Sequence, residues 1–301
     1  MTLRAALLAP LLVVTTLAAQ QAAPPASVDL TTARAEIERL AAAANAEVSV
    51  VWRPLDARTG EELLIGPTVR YHAASTMKVP VMIELFAQAR AGTLKLDDEV
   101  LVTNTFHSIV DGSSYELSAS EDSDGETYKA IGKRLSLRTL CETMITASGN
   151  LAANVLVERL GAKHIQATTD GLGASGMQVL RGVEDQKAFD QGLNNTTDAA
   201  ALATLFAKIA RGEAVSREAS VEMIAILKRQ KHNEGIPSGL PPGIEVAHKT
   251  GEITKIHHDA GVVYAKRPYV LVVLVRGIED QAASGRLIAD ISRVIYGRLG
   301  V

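Results

Sequence analysis

Ser75-Thr76-Met77-Lys78 sets a hydroxyl and an ammonium three residues apart. On a helix that spacing places both on one face, where they can meet. Val79, Met82, Ile83 and Phe86 follow at i, i+3, i+4 and i+7, which predicts a helix beginning near Ser75. Pro80 fits the first turn of such a helix and would clash deeper inside it. Free backbone N–H groups and the positive end of the helix dipole favour an oxyanion at this point. A lysine held against a serine in a dry site can lose its proton and serve as base. The chemistry on offer is nucleophilic attack by Ser75.

Two further groups offer supporting chemistry. Ser148-Gly149-Asn150 lies between two apolar helical patterns, and its hydroxyl and carboxamide can pass a proton and hold a substrate amide. Lys249-Thr250-Gly251 ends a strand read as Ile244–Lys249, with Lys249 on the face opposite Val246 and His248. A cation there polarises a serine and attracts a carboxylate, and Gly251 allows close approach of a ligand.

The three groups, in this order, resemble the Ser-x-x-Lys, Ser-Asp-Asn and Lys-Thr-Gly signature of class A β-lactamases and penicillin-binding proteins. The resemblance covers most of the chain after residue 27. It implies an antiparallel sheet flanked by helices, an inserted all-helical lobe, and a site between the two. It also implies roles. Ser75 attacks a β-lactam carbonyl, and Lys78, or Glu184 through a water, takes its proton. Ser148 passes a proton to the leaving nitrogen. The backbone N–H groups of Ser75 and Glu252 form the oxyanion hole. Asn150, Lys249, Thr250, Gly251 and Glu252 bind substrate. Glu184, in Arg181-Gly182-Val183-Glu184-Asp185, stands where the class A deacylating acid is expected, and Asn154 matches the asparagine that steadies it.

The chain departs from that family at three places. Gly149 replaces the usual Asp, Ala188 stands four residues after Glu184 where Asn is expected, and Glu252 follows Gly251 in place of a small or hydroxylated residue. A carboxylate at 252 faces the carboxylate that most β-lactams carry. At a few Å and an effective dielectric of about 20, the two repel by roughly 2–4 kcal/mol. Unless Lys255 pairs with Glu252, the expectation is weak, narrow activity. Alternatives are a D-alanyl-D-alanine peptidase using the same serine and a non-catalytic β-lactam-binding domain.

The elements that must position these residues give an α/β (mixed α and β) class. A helix at Leu30–Ala44, capped by Asp29 or Thr31, precedes a hairpin of Val48–Trp52 and Glu62–Ile65 turning at Thr59-Gly60. Helical patterns occupy Leu137–Ala147, Ala152–Leu160, Thr197–Ala210 and Arg217–Arg229, after a polar surface excursion over 104–134. Strands return at Ile244–Lys249, Ala260–Tyr264 and Tyr269–Val275, and a last helix spans Gln281–Arg298. This order reads as an α/β lobe of 28–72 with 228–301, interrupted by a helical lobe of 73–227.

Residues 1–23 read as a signal peptide, with Arg4 before an apolar run, and 24–27 as a linker, so export to the periplasm or medium is expected. The run is too short for a good membrane anchor. Formal charge is −3 with no basic stripe, which argues against nucleic acid as partner. Cys141 is the single cysteine and reads as buried and inert. His257-His258-Asp259 lacks a third spaced ligand group and reads as a loop between strands. No metal or cofactor is expected, and the partner is a small β-lactam or peptidoglycan-like molecule bound by a monomer.

Overall fold

The fold is taken from a computed structural model that describes Met1, residues 29–56 and residues 61–299. The signal-peptide and linker readings and the Thr59-Gly60 turn lie outside the described residues. Asp29 accepts from the Thr32 amide at 3.0 Å and starts α1 (Leu30–Ala43). The chain then forms β1 (Glu47–Pro54), β2 (Leu63–Ile65) and β3 (Tyr71–His72). A 3₁₀ turn, Ala74–Met77, leads into α2 (Lys78–Ala91). Short strands β4 (Glu99–Leu101), β5 (Phe106–His107), β6 (Ser114–Tyr115) and β7 (Arg134–Ser136) order the excursion over 104–134. Then come α3 (Leu137–Thr146), α4 (Asn150–Leu160), α5 (Ala162–Gly171), α6 (Gln186–Asp190) and β8 (Thr196–Thr197). The remainder is α7 (Ala199–Arg211), α8 (Arg217–Leu227), β9 (Glu245–Ile253), β10 (Ile256–Tyr264), β11 (Tyr269–Arg276) and α9 (Gln281–Arg298).

The main sheet is antiparallel in the order β2-β1-β11-β10-β9. Its central strand β11 is buried from Tyr269 to Val275 and divides by alternation. Leu271, Val273 and Val275 pack with Ile37 of α1 and Ile288 and Ile291 of α9. Val270, Val272 and Leu274 pack on the other face with the helical core that includes Leu202 and Phe206 of α7. Each such side chain contributes about 1.5–3 kcal/mol on leaving water, so helices on both faces hold the sheet. α2 runs through the centre of the second core, with Lys78 to Phe86 all buried.

Three expectations need correction. The strand read as Ile244–Lys249 continues to Ile253, so Lys249-Thr250-Gly251 lies inside β9 and not at its end. His257-His258-Asp259 is not a loop but the buried start of β10, paired with Glu252, Gly251 and Thr250. The excursion over 104–134 is not wholly a solvated surface, because Asp124 is buried and accepts from Thr127. Polar sequence hides all three, since partners such as Asp259 for His248 and Thr127 for Asp124 meet only in the folded strands and turns.

Candidate active site

The turn that carries Ser75 is held by two hydrogen bonds on its N-terminal side. The Ala73 amide donates to Asn195 O at 2.8 Å, next to the paired strands β3 and β8. His72 Nδ1 accepts from the Ala74 amide at 3.0 Å. Burial first, and then Arg181, pull the His72 pKa down to about 4, so this ring is neutral and anchors the turn as an acceptor. Ala74 is thereby fixed at φ 47°. Of the five described non-glycine residues with positive φ, Ala74, Ser148 and Glu184 all belong to this site. Each costs on the order of 1–3 kcal/mol, which the surrounding bonds must offset.

Lys78 is fully buried in the first turn of α2. Its Nζ donates to Ser75 Oγ at 3.0 Å, to Ser148 O at 2.5 Å and to Asn150 Oδ1 at 2.7 Å. Burial lowers its pKa to about 7, against the opposing pull of Asp122 and Glu184. Lys249, equally buried, donates to Ser148 Oγ and to Thr250 O, both at 2.9 Å. Burial and the neighbouring Lys78 hold Lys249 well below the usual lysine range, with Asp259 opposing. The Ser148 hydroxyl sits between the two amines, 3.4 Å from Lys78 Nζ. A proton on either amine thus has a hydroxyl relay beside it.

Glu184 joins this group through Asn150, whose Nδ2 donates to Oε1 at 2.6 Å. The loop beneath it is stapled by Asn154, which receives the Val183 amide at 2.6 Å and donates to Val183 O at 3.0 Å. Asn195 closes the loop base by accepting from Leu180 at 2.8 Å and donating to Arg181 O at 2.9 Å. Ala188 is buried, and Asp185 caps α6. Burial raises the Glu184 pKa, Asn150 opposes this, and Asp122 and Glu121 add to it.

Gly149 and Gly251 each make room for a close approach. A Cβ at Gly149 would lie 3.2 Å from the Asp124 Cβ, so a neighbouring acidic segment fills the space of the missing side chain. Asp122 in that segment accepts from the Asn150 amide at 2.9 Å and from the Leu151 amide at 3.0 Å. It caps α4 from 28 residues away, a role without any local signature. Asp122→Ala is expected to cost about 1–2 kcal/mol, as loss of a cap does. A drop in melting temperature of a few degrees would register it, with Asp122→Asn retaining part of the stability. An unchanged melting temperature in Asp122→Ala would show that water replaces the cap. A Cβ at Gly251 would lie 3.0 Å from the Thr76 amide and 3.1 Å from that of Ser75, so β9 lies directly against the nucleophile turn.

Glu252 is half-buried and lines both cavities beside Ser75, of about 560 and 610 Å³. Lys255 does not pair with it and reaches Glu279 instead, at 3.9 Å. Cys141 is buried and inert, its thiol pushed up to about 12 by burial first and Glu142 second. No group of three His, Cys, Asp or Glu side chains among the described residues is placed to hold a metal ion. No described helix is long and apolar enough to cross a membrane.

A β-lactamase from Streptomyces albus G is 28% identical over 183 residues, 58% of this chain and 58% of its own length. The chain thus spans a little over half of that curated relative. The solved structure of PBP-A superposes with a TM-score of 0.76 at 27% identity, covering 91% of this chain and 97% of that one. The crystal structure of a β-lactamase from Sphaerobacter thermophilus shares the fold, with a TM-score of 0.78 at 23% identity over 91% of this chain and 98% of that one. The family model described as the beta-lactamase enzyme family matches residues 32–299, the span that builds both cores and every residue around Ser75, and the chain belongs to that family.

Proposed function

We propose that this chain is a class A-like serine β-lactamase that opens the β-lactam amide through an acyl-enzyme on Ser75, in a cleft between the lobe of 28–72 with 228–301 and the lobe of 73–227. The observation that carries the reading is the convergence of Ser75, Lys78, Ser148 and Lys249, with Glu184 joined through Asn150. In its neutral form Lys78 keeps two N–H donors for Ser148 O and Asn150 Oδ1, and its lone pair then faces the Ser75 hydroxyl. Ser75 Oγ attacks the carbonyl carbon as Lys78 accepts its proton. The Ser75 and Glu252 amides receive the oxyanion. The proton passes through Ser148 to the leaving nitrogen as the ring C–N bond breaks. Glu184 then deprotonates a water that hydrolyses the ester and frees Ser75. No metal or cofactor takes part, and residues 1–23 direct export.

The pH dependence of acylation tests the base. With Lys78 as base, the acylation rate rises with pH through about 7 and levels off above it, because burial holds this lysine near that value. Stopped-flow acylation by a chromogenic cephalosporin from pH 5 to 9 measures it. If Glu184 is the base through water, the rise falls instead in the carboxylate range, displaced upward by burial. A second reading, a D-alanyl-D-alanine peptidase, is favoured by the likeness to PBP-A and by the unusual Glu252. Release of D-alanine from a D-alanyl-D-alanine peptide, faster than cephalosporin hydrolysis, would establish it.

A further inference from the structure

The cleft extends past Gly251 into a chamber bounded by the end of β9, the start of β10, the segment after α8 and the first turn of α9. Its lining includes Glu234, Glu252, His257 and Ser284. Glu252 stands directly opposite His257 across the β9–β10 ladder. On the same cavity wall are Glu121 and Glu279. Among the described lining residues Lys255 alone carries a fixed positive charge, and it is paired with Glu279. Lys249 is fully buried and does not line this chamber. The chamber is therefore acidic where the first reading of Glu252 expects a carboxylate to be repelled.

Two buried groups that line the chamber have no protein partner. His257 is 3% exposed, yet neither ring nitrogen has a hydrogen-bond partner. Ser284 is 2% exposed, and its Oγ is likewise unpartnered. Polar atoms so buried are normally satisfied, at a penalty of about 1–3 kcal/mol when they are not. Both line the same cavity as Glu234 and Glu252. A metal ion is not the fitting occupant, since no three ligating side chains among the described residues converge. An ammonium fits better, because it draws on the charge of nearby carboxylates without needing a closed ligand shell, and its three N–H donors can serve the Glu252 carboxylate, the His257 lone pair and the Ser284 hydroxyl.

We propose that this chamber is a substrate subsite for a protonated amine, with Glu252 and Glu234 supplying the charge and His257 and Ser284 accepting hydrogen bonds. The proposal rests on Ser75 being the acylated nucleophile and assigns the substrate class: β-lactams or peptide-like amides bearing an ammonium on the side of the reacting bond that faces β9. It turns the effect of Glu252 from a general weakening into selection by charge.

The test uses two cephalosporins with the same 7-acyl group, one with an ammonium on its C3 substituent and one with a neutral hydroxyl there. Acylation of Ser75 is followed by rapid-quench intact-protein mass spectrometry, which traps the adduct before it hydrolyses. The wild type is expected to acylate at least tenfold faster with the ammonium compound. Glu252→Gln and Glu234→Gln should each reduce that preference several-fold, and comparing ratios between variants cancels the different intrinsic reactivities of the two rings. A wild-type preference near unity, or one unchanged in both variants, overturns the subsite while leaving the nucleophile in place. Absence of any Ser75 adduct with either compound and with benzylpenicillin overturns the nucleophile reading and the subsite with it.

Discussion

Ser75→Ala is expected to abolish covalent labelling by benzylpenicillin and to reduce turnover by many orders of magnitude. The reason is geometric as well as chemical. Ser75 is the hydroxyl within 3.0 Å of Lys78 Nζ, on a turn whose neighbour Ala74 is held in a left-handed conformation by His72 and the β3–β8 pairing. The nearest other hydroxyl, Ser148, is 3.4 Å from Lys78 and already receives Lys249. It does not share the free N–H groups at the start of α2. Lys78→Ala should leave the nucleophile in place but slow acylation by about 10²–10⁴-fold, the usual worth of a positioned base. A Ser75→Ala protein still labelled at full stoichiometry would move the nucleophile elsewhere.

Glu184→Gln is expected to separate the two halves of the reaction. The substitution keeps size and hydrogen-bonding capacity but removes basicity. If Glu184 activates the hydrolytic water, acylation persists and deacylation slows by about 10²–10⁴-fold, so the acyl-enzyme accumulates. The structural support is the bond from Asn150 at 2.6 Å, which ties this carboxylate to the same amide that holds Lys78. Burial raises the Glu184 pKa, so below the resulting value the carboxyl is protonated and deacylation falls as pH decreases. Mass spectrometry during turnover distinguishes the outcomes. Unchanged steady-state turnover in Glu184→Gln would show that another group activates the water.

The parts of the site carried by short spacing were legible in the chain. Ser75 and Lys78 sit three apart because one helical turn brings them together, and Ser148, Asn150 and Lys249 fall in short motifs that local structure preserves. The parts carried by long-range contact were not. Nothing near Asp122 announces that it caps α4, nor near His72 that its ring anchors the nucleophile turn. Asn154 was named through the resemblance, but Asn195, which closes the base of the Glu184 loop, was not, because it acts only on backbone groups of Leu180 and Arg181. Thr250-Gly251 read as the end of a strand and His257–Asp259 as loop, yet β9 continues to Ile253 and His257–Asp259 lie inside β10. His248 meets Asp259 at 2.8 Å in the interior. α5 escaped notice because it buries only Ile165 and Thr169, too few for a visible apolar period. Alternation in β11 and the apolar face of α9 made the sheet and its covering helix clear.

The central claim is that Ser75 is both acylated and rapidly released. The lifetime of the acyl-enzyme after mixing with a chromogenic cephalosporin tests it most directly. With Glu184 acting on a bound water, the adduct on Ser75 should decay within seconds and the protein should turn over repeatedly. An adduct on Ser75 that persists for hours would contradict the account and place the chain with enzymes that β-lactams inhibit.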